Sequence, residues 1–164
     1  MRKILLIVSM FLFGATANGL FAQTKTGDAM KEENLLHIRL TPIEIIALGQ
    51  IGASAGTSGV SGIQTRILQG DPTQTGLYTI QLFVPANTQI EAHVHPDDRV
   101  ATVISGTWYF GYGSVFDKKK LKALPPGSYY TEPSQVAHFA RTGKDAVVIQ
   151  ITGYGPTGTE YTKQ

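Results

Sequence analysis

Cysteine is absent from the 164 residues of this chain. The protein therefore forms no disulfide bond, and an oxidising compartment is tolerated without being exploited. Thiolate ligands are excluded as well, so a bound metal ion must be held by histidine, aspartate, glutamate or water. The sequence contains only four histidines, which limits the candidates for such a site.

A hydrophobic run long enough to cross a bilayer is also missing. An apolar stretch at residues 4–13 follows the basic pair Arg2 and Lys3, and small residues come after it. This is the pattern of a secretory signal peptide, with cleavage after Ala17 or after Ala22. We therefore expect a secreted or periplasmic protein that acquires any metal after export.

Charge of one sign is not in excess either. The chain has 14 Lys and Arg against 12 Asp and Glu, and signal cleavage removes Arg2 and Lys3, which leaves 12 of each sign. A balanced chain has no electrostatic reason to bind nucleic acid or a membrane surface, and we expect neither as a partner after cleavage. We divide the chain into a signal peptide at 1–22, a tether with a glycine-rich loop at 23–62, and one domain at 63–164.

Two local patterns stand between the signal and the main domain. Thr41, Pro42 and Glu44 have the spacing of an N-cap, a first-turn proline and the acid of a capping box. They predict a short helical turn that ends near Ala47. Residues 49–62 are rich in Gly, Ser and Ala, which is typical of a flexible surface loop. The alternative for this segment is a lid over a binding site.

From residue 63 onward, short runs rich in Val, Ile, Thr, Tyr and Phe are separated by Gly, Pro, Asp or Asn. Such runs are typical of β-strands. The runs are IQTRIL, YTIQLFVP, VATVIS, TWYFGYG, SYYTEP, VAHFAR, AVVIQITG and TEYT. Only residues 117–124, DKKKLKAL, resemble a helix, with Asp117 as a cap and the lysines on a solvated face. Many short strands with closing turns predict an all-β sandwich or barrel.

Two of the histidines lie two positions apart. Side chains at that spacing on a strand point to the same face, so His93 and His95 could present both imidazoles to one ion. Such a pair suits a divalent ion of the first transition row. The pair alone is a weak signal, and the alternative is two unrelated surface histidines.

The wider spacing strengthens the metal hypothesis. The sequence resembles the cupin family, whose two motifs are G-x5-H-x-H-x3,4-E-x6-G and G-x5-P-x-G-x2-H-x3-N. The matching positions are His93, His95, Gly106, Gly127, Pro133 and His138. Where the motifs have Gly, Glu, Gly and Asn, this chain has Asn87, Arg99, Gln135 and Thr142. The resemblance covers roughly residues 63–161 and is to small single-domain bacterial cupins.

This resemblance implies a double-stranded β-helix, which is a jelly-roll barrel. It also implies that His93 and His95 on one inner strand meet His138 of a neighbouring strand in the barrel mouth. The three imidazoles are expected to bind one divalent metal ion, with Fe, Mn, Zn and Ni not distinguishable. His37 lies outside this set and is expected at the surface.

Arg99 is the important departure, because the family has a glutamate ligand there and a guanidinium cannot donate to a metal. One alternative is a three-histidine site completed by water, and another is a replacement carboxylate. The candidate is Glu132, which precedes Pro133 and is expected close to His138 across one hairpin. A third alternative is a fold that has lost its metal.

The direction of the Glu132 side chain stays open. An inward carboxylate needs a cation, either the metal or Arg99 in a bidentate ion pair, whereas an outward one would meet water. At the rim, Arg99 would steer an anionic substrate, and a free Glu132 would serve as a base. Asp97 and Asp98 lie in the turn after the histidines and are expected to face solvent.

Three functions fit these residues. The first is a metal-dependent oxygenase, isomerase or lyase that acts on a small organic acid, with Glu132 and Arg99 as catalytic residues. The alternative is a non-catalytic barrel that binds a small molecule, and the third is a structural or stress-associated protein with a vestigial pocket. A homodimer is compatible with each, since such barrels expose sheet edges that pairing covers.

Overall fold

The computed structural model of the chain describes residues 37–52 and 57–163. The predicted signal peptide at 1–22 lies outside the described residues, and so does the predicted tether up to residue 36. Within the described ranges, no helix combines the length and the apolar character that crossing a membrane requires.

Strands account for most of the regular structure in the described chain. The strands are β1 Gln64–Gln69, β2 Gly76–Val84, β3 Gln89–Val94, β4 Arg99–Ser105, β5 Trp108–Tyr112, β6 Lys122–Leu124, β7 Tyr129–Glu132, β8 His138–Thr142, β9 Val147–Gly155 and β10 Glu160–Tyr161. They form two five-stranded antiparallel sheets with the orders β1-β2-β9-β4-β7 and β10-β3-β8-β5-β6. The predicted all-β fold is confirmed.

The core lies between the two sheets because the central strands alternate apolar and exposed positions. Ile80 and Leu82 of β2 face inward and are direct cross-strand partners of Ile151 and Ile149 of β9. Each such aliphatic side chain stabilises the fold by about 1.5–3 kcal/mol when it is fully buried. The same buried cluster includes Tyr78, Val84, Val103, Trp108, Phe110 and Val147.

The predicted helical turn is α1, Pro42–Ala47, which precedes the sheets. The Thr41 hydroxyl oxygen accepts a hydrogen bond from the Glu44 backbone N–H at 3.5 Å, and the Thr41 N–H donates to the Glu44 carboxylate at 2.7 Å. This is the predicted capping box. None of the helix residues is buried, so the cap and not core packing defines where α1 begins.

The helical prediction for residues 117–124 is only half right. Asp117 caps a single 3-10 turn at Lys118–Lys120, and its carboxylate accepts a hydrogen bond from the Lys119 N–H at 2.9 Å. The following residues form β6, in which the buried Leu124 pairs with Trp108 of β5. Burial of Leu124 beside its neighbouring strand therefore outweighs the helical pattern of the lysines.

Two turns keep a glycine-like backbone without glycine. Asn87 and Gln135 stand at glycine positions of the motifs, and they are the non-glycine residues with positive φ in the described chain, at 56° and 60°. Asn adopts this region more readily than Gln, because its short side chain bonds locally. The turns before β3 and before β8 therefore have the shape that the motif glycines imply.

Thr142 stands where the second motif has asparagine, and it ties β8 to the turn before β3. Its side chain is fully buried. The hydroxyl donates to the carbonyl oxygen of Pro85 at 2.7 Å and accepts from the N–H of Thr88 at 2.8 Å. A hydroxyl that both donates and accepts therefore satisfies two backbone groups here without an amide.

Gly106, between β4 and β5, tests how closely the chain packs at this turn. Its φ is +74°, and a Cβ would stand 2.4 Å from the carbonyl oxygen of Ala146. We expect Gly106→Ala to lower the free energy of unfolding by about 3 kcal/mol or more, from left-handed strain and a clash with backbone together. Gly127→Ala is the matched control, since its φ is +84° but no atom lies within 4 Å of the added Cβ. Its cost is expected to be about 1–2 kcal/mol, and equal losses in chemical denaturation would contradict the steric account.

Candidate metal site

Three buried imidazoles meet inside the barrel. His93 of β3 and His138 of β8 are direct cross-strand partners, and His95 follows just after β3. The ring centroid of His93 lies 4.9 Å from that of His95 and 4.5 Å from that of His138. The centroids of His95 and His138 are 5.1 Å apart. Each residue is at most 4% exposed. The structure thus brings the three predicted histidines together.

An irregularity in β3 turns His93, and His95 just after the strand, toward the inside of the barrel. Ile90 pairs with Ala140 and His93 pairs with His138, so three steps along β3 match two steps along β8. The extra residue is a β-bulge, which reverses the inward and outward alternation of the strand. Ile90, His93 and His95 therefore line the same cavity.

Backbone carbonyls determine which ring nitrogen carries the proton. Nδ1 of His93 and Nδ1 of His138 lie 2.7 Å and 3.0 Å from the carbonyl oxygens two residues earlier. Nδ1 of His95 bonds to the carbonyl oxygen of Gly158. Because a carbonyl oxygen only accepts, each Nδ1 donates its proton to it. The lone pair of each Nε2 is then available, which is the arrangement typical of metal-bound histidine.

The three histidines fit a metal ion. One nitrogen of each ring lies within 4.8 Å of the others. Ligands with bonds of about 2.1 Å to one tetrahedral ion stand about 3.4 Å apart, so the separations between the nitrogens must shorten by at most about 1.4 Å to complete the set. Among the described residues, Nε2 of His95 and Nε2 of His138 are buried without a hydrogen-bond partner. Such orphaned atoms cost free energy, and a metal ion bound by these three residues would satisfy them.

Burial keeps the imidazoles neutral. Desolvation lowers the pKa of His93 to about 4, with a contribution from His138, and lowers the pKa of His95 to about 3, with a contribution from Arg99. Burial also lowers the pKa of His138. Neutral imidazole is the form that binds a metal, so these rings lose no proton when an ion binds near neutral pH.

The arginine that replaces the family's glutamate faces the predicted carboxylate. Arg99 of β4 and Glu132 of β7 are direct cross-strand partners, and they are 3% and 4% exposed. Nε of Arg99 donates to Oε2 of Glu132 at 2.7 Å, and Nη2 donates to the same oxygen. An ion pair between Arg99 and Glu132 is therefore present, which is one of the two cations that an inward carboxylate requires.

Glu132 also faces the imidazoles. Oε1 lies 3.9 Å from Nε2 of His138, and Oε2 lies 3.9 Å from Nε2 of His95. These distances are too long for hydrogen bonds, but they fall within the separation that two ligands of one ion can have. The expected hairpin is wrong, since β7 and β8 belong to different sheets. The chain crosses from one sheet to the other between Glu132 and His138, and this crossing brings them close.

Electrostatics keep Glu132 ionised. Burial alone would raise the pKa of its carboxyl, but Arg99 and, to a lesser degree, the neighbouring imidazoles lower it to about 2. The alternative of a Glu132 that points to water is excluded, and the expectation of Arg99 at the rim is wrong, because both side chains are buried. Coordination of a metal by Glu132 stays a prediction.

Asp97 and Tyr78 form a second buried pair beside Arg99, which the sequence reasoning missed. The expectation that Asp97 faces solvent is wrong, since it is 7% exposed and accepts a hydrogen bond from the Tyr78 hydroxyl at 2.6 Å. Burial raises the pKa of Tyr78, so its hydroxyl stays protonated. Gly153 is the sequence feature that could have indicated this pair. It continues the inward-facing positions of Ile149 and Ile151 on β9, and a glycine at such a position indicates that another group comes close. A Cβ at Gly153 would lie 2.6 Å from the Tyr78 hydroxyl.

Two other candidates lie where we expect them. His37 is exposed and belongs to no cluster of metal-ligand side chains among the described residues. Asp98 is also exposed, and its Oδ1 accepts a hydrogen bond from the Ser134 N–H at 2.8 Å, which is ordinary turn chemistry.

The cavity beside the histidines is narrow. Its volume is about 20 Å³, which is room for about one water molecule. Trp108 is part of its lining, and Nε1 of this residue is buried without a hydrogen-bond partner among the described residues. Sites for small organic ligands usually measure about 300–1,000 Å³. The cavity therefore has room for about one ion or one water molecule but not for a whole organic substrate.

Part of the glycine-rich loop closes this cavity. Ser58 lines it, and both Ser58 and Thr57 are buried. The Tyr161 hydroxyl donates to the carbonyl oxygen of Ser58 at 2.6 Å, and the Thr159 hydroxyl donates to that of Thr57 at 2.5 Å. For these two residues the surface-loop expectation is wrong, and the alternative of a lid fits better. Residues 53–56 lie outside the described part of the loop.

Known structures support the architecture. The chain is similar to a structure of DMSP lyases, RdDddP and RnDddQII, with a TM-score of 0.55 and 15% identity, over 71% of this chain and 63% of that one. It is also similar to a variant of salicylate 1,2-dioxygenase from Pseudoaminobacter salicylatoxidans in complex with gentisate, with a TM-score of 0.51 and 14% identity, over 64% and 30% of the two chains. An RmlC-like cupin from Shewanella frigidimarina has a TM-score of 0.47 and 18% identity, over 57% and 76%.

At these identities the likeness concerns the fold alone. No family model matches the sequence. The chain has two facing five-stranded antiparallel sheets in the double-stranded β-helix arrangement that the resemblance in its two motifs predicts.

The buried histidines predict a pH dependence of stability. Their pKa values of about 4 and about 3 for His93 and His95 lie below the ordinary value of 6.5, so the unfolded chain binds more protons. Stability is therefore highest above about pH 6.5 and falls on acidification, by about 1.4 kcal/mol per pH unit for each of these two rings. Urea unfolding with chelator, between about pH 7 and about pH 4.5, measures this slope. His93→Gln should remove the contribution of one ring to this slope, and His37→Gln should leave the slope unchanged. An unfolding free energy that does not change with pH would contradict the conclusion that these imidazoles are buried and neutral.

The ion pair predicts strong coupling between two positions. Arg99→Met leaves the buried Glu132 without its cation, which is expected to cost about 3–5 kcal/mol of unfolding free energy. The double variant Arg99→Met, Glu132→Leu removes both charges and is expected to be more stable than the single variant. Thermal and urea unfolding of metal-free protein provide the comparison. If the unfolding free energy lost by the double variant equals the sum of the losses of Arg99→Met and Glu132→Leu, the two groups act independently and the predicted coupling is contradicted.

Proposed function

We propose that this chain is an exported protein in which the three histidines and Glu132 hold one divalent ion of Fe, Mn, Zn or Ni. We propose further that it catalyses an oxygenase, isomerase or lyase reaction on a small organic acid. The observation that carries the metal assignment is the common orientation of the rings. Every Nδ1 proton of the set is bonded to a carbonyl, and two of the Nε2 atoms are buried without a partner.

The geometry of Glu132 supports its role as the fourth protein ligand. Arg99 holds Oε2, while Oε1 lies toward Nε2 of His138. The carboxylate that the family motif has on the strand of Arg99 would here come from the neighbouring strand β7. A pKa of about 2 makes Glu132 a weak proton acceptor, so we favour the ligand role over the role of general base.

The charge balance supports an anionic substrate. Arg99 and Glu132 neutralise each other, and the three imidazoles are neutral, so a divalent ion would add an uncompensated charge to a buried site. A small organic acid with its carboxylate at an open coordination position would offset that charge. Arg99 is expected to contribute to this field from within the wall of the cavity, which it lines.

Bound at this site, a divalent ion supplies Lewis acidity or, if it is redox-active, a means to activate dioxygen. The residues of the chain orient the ligands, exclude water and donate hydrogen bonds. The carbonyls orient the imidazoles, the apolar lining excludes water, and the Nε1–H of Trp108 can donate to an oxygen atom of the ligand. The two structural neighbours with the same fold are named as a lyase and a dioxygenase, which is why we keep the reaction class broad.

A non-catalytic small-molecule-binding barrel is the second candidate, and one observation favours it. The cavity of about 20 Å³ has no room for an organic substrate while Thr57 and Ser58 close it. Catalysis would therefore need this part of the loop to move, whereas capture of an ion or a water-sized ligand would not. Binding of organic anions in the presence of chelator would favour this candidate if the amide shifts fall on residues that line this cavity, such as Ser58 and Ala140.

Metal loading tests the proposal. We expect the stripped protein to take up about one divalent ion per chain, measured by elemental analysis after gel filtration. His138→Ala should abolish binding because it removes a ligand, and Glu132→Gln should weaken affinity about 10–100-fold. His37→Ala is the matched control, since this exposed histidine lies outside the site, and it should bind like the wild type. Uptake that survives His138→Ala, or no uptake of any of the four metals, would refute the proposed site.

A further inference from the structure

A second recess opens at the gap between the edge strands of the two sheets, β6 and β7. It has a volume of about 400 Å³ and lies among the 3-10 turn and strands β5, β6 and β7. Its buried lining includes Phe110, Leu124 and Tyr130. This volume is within the usual range for small-molecule sites, unlike that of the metal cavity. We call this recess the outer groove.

Aromatic side chains form much of the outer groove. Tyr112 and Tyr129 are 45% and 62% exposed, so their rings meet solvent where they line it. The Tyr112 hydroxyl donates to the carbonyl oxygen of Thr131 at 2.6 Å, which holds this ring across the gap between the two sheets. Its ring also packs edge-on against Phe110 at 5.1 Å. Fixed aromatic faces of this kind favour a planar, aromatic ligand.

Positive charge is concentrated at the same place. Lys120 and Lys122 line the outer groove, and both are exposed. Residues 113–131 contain four lysines and one acid, although the chain without its signal is balanced. That acid, Asp117, accepts the capping hydrogen bond of the 3-10 turn. The ion pairs among the described residues include neither groove lysine, so both ammonium groups are available to an anion.

We propose that the outer groove binds a small aromatic carboxylate, with the ring against the tyrosines and the carboxylate at Lys120 and Lys122. Apolar lining, exposed aromatic faces and two unpaired cations are together the chemistry that recognises such a ligand. This site is separate from the metal site and does not depend on a bound metal.

Phe110 connects the two sites. It lines both the outer groove and the metal cavity. Its ring stacks on the imidazole of His138, with centroids 5.3 Å apart and planes 30° apart. A ligand in the outer groove is therefore separated from a metal-site histidine by a single ring.

Benzoate is the probe, titrated into metal-free protein with chelator present and followed by amide chemical shifts. We expect saturable shifts at Gly111, Leu124 and Thr131. The double variant Lys120→Gln, Lys122→Gln should bind about 10-fold more weakly, which is the loss of two exposed charge contacts. The double variant Lys118→Gln, Lys119→Gln is the matched control. It removes the same amount of charge from the adjoining 3-10 turn but from outside the groove, and its affinity should change less than about twofold.

Two further probes and one variant complete the test. Acetate lacks the ring and benzamide lacks the charge, so both are expected to bind more weakly than benzoate. Tyr129→Ala should weaken benzoate binding, and its folding is not in question because the side chain is exposed. Equal losses in the two lysine variants, equal binding of the three probes, or no saturable shift in the groove would each overturn the proposal. None of these results bears on the metal site, because chelator is present throughout.

Discussion

Three hydrogen bonds from imidazole Nδ1 atoms to backbone carbonyls determine the character of the barrel centre. They select the tautomer that leaves Nε2 unprotonated, and they orient rings that an apolar core already keeps neutral. A polar cluster of this kind is costly to bury unless its atoms find partners. Two Nε2 atoms have none among the described residues. A cation bound between the rings would satisfy both atoms, and this is the basis of the proposed metal site.

The inverted charge pair is the most informative difference from the cupin motif. An arginine at the ligand position would expel a metal by repulsion if it were unpaired. Its cross-strand partner Glu132 neutralises it and remains close to two of the imidazoles. Arg99 bonds to Oε2 of Glu132, while Oε1 lies 3.9 Å from Nε2 of His138, and the proposed ligand role rests on this arrangement. In this chain an arginine stands at the motif's carboxylate position on β4, and a carboxylate stands opposite it on β7.

Motif spacing predicted the fold and the three histidines, because strand periodicity and turn position are local properties of the sequence. The capping box of α1 was predictable for the same reason. Other features depend on contacts between distant segments. The bulge in β3 depends on its pairing with β8 in one sheet. The crossing between β7 and β8 depends on which sheet each strand joins, and the burial of Asp97 depends on its contact with Tyr78 of β2. The lysine run at 117–124 misled the helical prediction because Leu124 had a partner strand that periodicity cannot reveal.

The central claim is that three Nε2 atoms and one carboxylate oxygen surround a single ion inside this barrel. Anomalous diffraction from crystals of the metal-loaded protein, collected at the absorption edge of the loaded metal, tests it most directly. The account predicts one strong peak between His93, His95 and His138, at about 2.0–2.2 Å from each Nε2 and from Oε1 of Glu132. A fully loaded crystal with its peak elsewhere, or with the rings turned so that Nε2 faces away from the ion, would contradict it.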